Sequence, residues 1–188
     1  MSITVSKKSI RRFLVFGSFS ALLLICFSCL ESNSPLSYSN NCHEARLEGT
    51  WICEMFGNNK QKPIETSTVV IRDSGSKYIV EKRVENENKT ETSTLPCILT
   101  KLDSYYFISV KETDEEHWYI CRIQFKDDKL LVLDLNEEGK KRAEEEDEQA
   151  YRKISQRELQ QWCINNANLF TDVVYCLERD YGVEGPEE

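Results

Sequence analysis

Leu47-Glu48-Gly49-Thr50-Trp51, "LEGTW", is the stretch on which the fold turns. It reads either as a plain turn into a strand or as the opening of a closed β-barrel with the tryptophan across its floor. Glycine lets backbone and ring approach closely, and an indole supplies a large apolar plug with one polar handle. The rest of the chain has to decide between the two.

Downstream, short runs rich in Val, Ile, Thr, Tyr and Phe recur between polar segments, the pattern of strands. The candidates are 50–56, 66–72, 77–84, 91–100, 105–111, 117–126, 129–135 and 149–154. The connections are hairpin-sized, such as "DSGS" at 73–76 and Asp127-Asp128, which favours antiparallel neighbours in an up-and-down meander. Tyr106, Ile108 and Val110 alternate with Tyr105, Phe107, Ser109 and Lys111, and 117–126 alternates in the same way. Pro96 cannot donate to a ladder, so a bulge or break is expected before Cys97.

The period changes near the carboxyl end. Ser155 followed by Glu158 is a capping box. Leu159, Trp162, Cys163 and Asn166 then recur at helical spacing, a stripe to lay on a sheet. "DVVYCLERD" (172–180) reads as a second helix or an edge strand. The acidic run Glu144–Glu148 lacks the spaced pattern of a calcium loop and reads as a solvated segment.

With eight strands and a helix in place, "LEGTW" resembles the G-x-W motif of lipocalins and lipocalin-like bacterial barrels. The resemblance spans 47–168 at most. It implies a mainly β, antiparallel up-and-down eight-stranded barrel with a C-terminal helix. It also implies a floor built from Gly49 and Trp51, with an arginine late in the barrel over the indole, a place matched by Arg152. A half-open sheet closed by the helix, with Trp51 as an ordinary core residue, is the alternative.

Upstream, Lys7, Lys8, Arg11 and Arg12 precede an apolar run of 15 residues, 13–27. A spanning helix needs about 20 such residues, so the run reads as a cleaved export signal. It ends in Ser28-Cys29, which resembles the lipobox of bacterial lipoproteins, in the loose form of spirochaete sequences, although Cys26 stands where leucine is usual. The resemblance implies lipid on Cys29 and membrane attachment through it. Eight cysteines then leave six beyond the signal and anchor: Cys42, Cys53, Cys97, Cys121, Cys163 and Cys176. In an exported chain that even number is expected to form disulfides, with Cys163–Cys176 suggested by their proximity in sequence and the other pairings open. The expected organisation is a signal peptide (1–28), a lipidated amino terminus and flexible tether (29–46), a barrel (47–155), a helical segment packed on it (156–180) and a disordered tail (181–188).

Residues 1–28 hold four of the 24 basic side chains and none of the 32 acidic ones, leaving the rest near −12. Such a surface disfavours nucleic acid. No nucleophile elbow, P-loop or dinucleotide fingerprint occurs, and His43 and His117 have no triad pattern around them. A zinc site can be drawn from His43 beside Cys42 and His117 four residues before Cys121, but cysteines oxidised to disulfides cannot donate thiolates. The expectation is a non-catalytic protein without cofactor or metal, exported and lipid-anchored in the bacterial cell envelope at the outer membrane. Two roles fit. One is a surface binding module, adhesin-like, for host matrix, plasma or complement proteins. The other is a lipocalin-like carrier or chaperone of a small apolar ligand, which requires a hollow, apolar barrel of about 300 Å³ or more.

Overall fold

The computed structural model describes residues 30–36, 42–57, 62–86, 89–111, 117–145 and 155–182. The export signal, Cys29, residues 149–154 with Arg152, and residues 183–188 lie outside the described residues. In chain order the strands are β1 (Leu30–Ser32), β2 (Gly49–Phe56), β3 (Pro63–Asp73), β4 (Tyr78–Asn86), β5 (Lys89–Leu102), β6 (Tyr105–Val110), β7 (Trp118–Lys126) and β8 (Lys129–Leu135). Helices α1 (Glu137–Glu145) and α2 (Gln156–Asn165) follow, and β9 (Phe170–Arg179) comes last.

Strands β2 to β9 each pair antiparallel with their sequence neighbours, and β9 returns to β2 through Trp51↔Arg179 to Met55↔Tyr175. The result is a closed, eight-stranded up-and-down barrel. Closure removes the two free edges that β2 and β9 would otherwise present. Asp103 and Asp127, each with φ near +50°, open two-residue hairpin turns, a conformation that aspartate tolerates.

The fold class read from the sequence is the one that forms, but the order of its last elements differs. The helices lie between β8 and β9, and the closing strand comes from the 172–180 segment that had two readings. Strand β5 also runs through Pro96 without a break. Its pairing to β6 begins only at Cys97↔Val110, so the proline sits where the strand has one neighbour, as an edge position allows.

A second difference concerns the expected tether. Residues 30–32 form β1, which pairs with β7 as Leu30↔Ile120 and Ser32↔Trp118. Leu36 is fully buried, and its N–H donates to Ser109 Oγ at 3.0 Å. Two glutamines of α2 fasten the segment: Gln156 donates to the Pro35 carbonyl at 3.2 Å and Gln160 to the Leu36 carbonyl at 2.9 Å. Apolar Leu30, Pro35 and Leu36 find burial that the surrounding polar composition conceals.

Strand alternation divides the apolar residues into two cores. Trp51, Cys53, Val69, Ile71, Cys97, Leu99, Cys121, Ile123 and Leu177 face the barrel interior. Phe107, Ile120, Leu133 and Leu135 face outward and are covered by Leu36, Leu159, Trp162, Cys163 and Phe170. The capping box starts α2 as expected: Ser155 Oγ accepts from the Glu158 N–H, and Glu158 accepts from the Ser155 N–H at 2.9 Å. Leu159, Trp162 and Cys163 form its buried stripe.

Candidate functional site

One end of the barrel is sealed by the "LEGTW" segment. Trp51 is buried and its indole N–H donates to the Leu47 carbonyl at 2.9 Å. Leu47 ends a single 3₁₀ turn, Ala45–Leu47, that brings the chain across the barrel floor. The cation over the indole is Arg179, with its guanidinium carbon 4.1 Å from the ring centroid. Arg179 also donates to the carbonyls of Glu48 and, at 2.7 Å, of Arg46. Gly49 stands at φ +128°, and a Cβ there would collide with the Arg179 guanidinium. Both special features of "LEGTW" therefore serve one arginine.

Sequence reading matched this role to Arg152, which lies outside the described residues. The reason for the difference is the closing strand: Arg179 is the last residue of β9 and pairs directly with Trp51. The alternation Tyr175, Leu177, Arg179 in "VVYCLERD" was the available signal.

Around the floor, His43 stacks on Tyr78 and lies between two carboxylates, Asp73 at 2.9 Å from Nδ1 and Glu48 at 3.4 Å from Nε2. Such a trio has the donor types of a metal site. The two acids, however, address opposite ring nitrogens of an exposed side chain, an arrangement that ties the 42–48 segment to β3. Arg46 packs over Phe125 at 4.1 Å from its centroid and chelates Glu44 at 2.7 and 2.9 Å.

Above the floor lies a partly open cavity of about 300 Å³. Val69, Ile71, Val80, Ile108, Ile123 and Leu130 are among the side chains lining it. Register places the far end at Lys82, Leu95, Val110 and Tyr119, since β4 and β6 run away from the floor while β5 and β7 return. Eight-stranded barrels have interiors that side chains can fill or that hold one small ligand. The short inward residues at many positions, three of them cysteines, decide for a hollow interior here.

The cysteines that the sequence pointed to disulfides are separate free thiols. Cys53, Cys97 and Cys121 line the cavity. Cys97 and Cys121 stand opposite Val110 and Ile108, on either side of the intervening β6. Two strand spacings put their backbones about 10 Å apart, beyond the roughly 4.4–6.8 Å that a disulfide spans. Cys53 and Cys176 are on neighbouring strands but face opposite sides, because Cys53 pairs with Leu177 and Glu54 with Cys176. The suggested partner of Cys176, Cys163, lies on the buried face of α2 in the outer core. Cys42 precedes the 3₁₀ turn and is half-buried.

Burial pushes the thiols of Cys53 and Cys97 up to about 12 and that of Cys163 up as well. At neutral pH they remain protonated, so Cys53 and Cys97 act as small apolar lining and Cys163 as outer-core packing, none of them as a nucleophile or metal ligand. One charged pair interrupts this lining: Lys82 Nζ lies 2.5 Å from Glu65 Oε1, and both side chains are nearly buried. The signal for Lys82 was present in the sequence, as a charge on the inward face of the alternation Tyr78, Val80, Lys82.

Chemically, the interior offers apolar volume, one ion pair and a sealed floor, the features of a pocket that binds by burial. No protein-family model matches the chain, and neither the curated proteins nor the solved structures contain a match to it.

Proposed function

We propose that this protein is a lipid-anchored carrier of a small apolar ligand in the bacterial cell envelope, held inside the barrel. The observation that carries the reading is the apolar cavity of about 300 Å³ above the Trp51 floor. It meets the requirement that distinguished a carrier from a module binding proteins with its outer surface. Burying a ligand against such a lining contributes about 25 cal/mol per Å² of apolar surface removed from water.

The anchor belongs to the same proposal. Lipid on Cys29 would be attached to the residue preceding β1, leaving no slack between membrane and barrel. Free thiols are compatible with an oxidising compartment, because the thiolate is the species that oxidises and burial suppresses it. The acidic charge, on which the protein-binding module drew, serves the carrier as solubilising surface.

Mass spectrometry of the protein from its native membrane tests both parts. The expected result is acylation at Cys29 and a co-purifying small molecule; Cys29→Ser should remove fatty-acid labelling. Absence of a co-purifying molecule, together with no uptake of neutral apolar fluorescent probes, would overturn the carrier. Unchanged labelling of the variant would move the anchor elsewhere.

A further inference from the structure

The cavity is apolar except near its open end, and its polarity there has a direction. Lys82 lies on the inner face of β4, opposite Val69 on one side and Ser93 on the other. It lines the cavity, whereas its partner Glu65, further toward the open end of β3, does not. An ammonium carries three N–H donors. Among the described residues Glu65 is the one charged partner of Lys82, so donor capacity remains on the side that faces the cavity. The lining's acidic member, Glu31 of β1, has a partner of its own.

Desolvated charge without full hydrogen bonding is costly, and an incoming anion relieves that cost. An amine would meet the like charge of Lys82 instead. Volume narrows the choice further. About 300 Å³ is the small end of ligand pockets, enough for one short chain and not for a two-chain lipid.

We infer that the occupant is a single-chain amphiphile with an acidic head, carboxylate or phosphate monoester, the head on Lys82 and the tail toward the Trp51 floor. This inference rests on the carrier reading. Glu65 is then the resident stand-in for the head: it holds Lys82 in the empty state and is partly displaced on binding.

The test is displacement of a neutral probe, N-phenyl-1-naphthylamine, from the folded barrel by ligands of one tail length: decanoate, decyl phosphate, decanol and decylamine. Mildly alkaline buffer keeps the carboxylic acid ionised. At least one acid should displace the probe at about tenfold lower concentration than decanol, the size of one hydrogen bond to a charged group. Decylamine should be weakest, and the stronger acid names the head. Lys82→Met should keep probe binding and lose the acid preference. Glu65→Gln should strengthen acid binding, because the competing carboxylate is gone. Equal displacement by acids and alcohol would overturn the inference, as would an acid preference that survives in Lys82→Met or fails to rise in Glu65→Gln. The ligand series on the unaltered protein decides the matter even if a variant fails to fold. Failure to take up the probe at all would instead remove the carrier reading beneath it.

Discussion

The outward face of β6 and β7 and the inward face of β6 end in opposite states of packing. Outward, Phe107, Ser109 and Ile120 are completely buried beneath Leu36, α2 and Phe170. Inward, Tyr106, Ile108 and Val110 are only partly covered, and the latter two border a cavity. Alternation assigns a residue to a face, but what lies across from that face sets the packing. A helix and a strap can settle onto a wall until contact is complete. Barrel curvature is fixed by strand number, so short inward side chains leave a void that cannot collapse.

This contrast can be broken most directly on the outer face. Phe107 meets Phe170 edge-on at 5.4 Å between centroids. Phe107→Ala should cost about 3–5 kcal/mol, read as a lower denaturant midpoint. Trp51→Ala belongs in the same range of roughly 3–5 kcal/mol, since it removes a buried plug and leaves Arg179 without its ring. A near-neutral result at Trp51 would show that the floor does not depend on it.

Adding volume should separate the faces more cleanly than removing it. Ile120→Phe, on the packed side, should destabilise by about 1–3 kcal/mol. Ile108→Phe has the cavity to grow into and should change stability by less than about 1 kcal/mol, while blocking probe uptake. Equal destabilisation by the two would mean that the interior is as tightly packed as the wall.

Thiol chemistry gives a subtler reading. With burial raising their thiols, Cys53, Cys97 and Cys163 should react with an alkylating reagent at pH 8 far more slowly than in denaturant. Mass mapping would check this, and rapid native labelling at Cys97 would show that solvent reaches the inner wall freely. A ligand that fills the barrel should slow Cys53 and Cys97 further and leave Cys163 unchanged.

The smallest effect concerns the floor's rim. Hydrogen bonds from Arg46 hold the Glu44 carboxyl down at about 2, from an ordinary 4.5. A depressed carboxylate contributes stability above its ordinary value and loses it as pH falls through that window toward 2. Glu44→Gln should therefore flatten the fall in melting temperature between about pH 4.5 and 2, with little change at pH 7. An identical acid profile would remove Glu44 from the linkage.

How much of the fold and site was legible in the sequence depends on how local the signal is. "LEGTW", the strand alternation and the Ser155–Glu158 box are short-range patterns, and the structure places each as read. The partner of Trp51 was not local. Arg179 is far along the chain, in a run whose period fits helix or strand until its neighbours β2 and β8 are known. The docking of 30–36 was hidden for a similar reason: the pocket for Leu36 exists only after α2 and Ser109 come together. The cysteines teach a different lesson. The inward positions of Cys53, Cys97 and Cys121 on alternating strands were readable, and register would have argued against pairing them, whereas an even count argued for it.

The arrangement of β9 has a consequence in time. The floor joins Trp51 to Arg179, and the strand that completes the sheet starts at Phe170. Until that strand is in place the other barrel strands can pair only with their sequence neighbours. Long-range pairings of this kind form slowly, so the open sheet persists until the last strand arrives. Closure is then a single late event, in which the first barrel strand waits for the final one and the inner chamber comes into existence only when Arg179 reaches the indole.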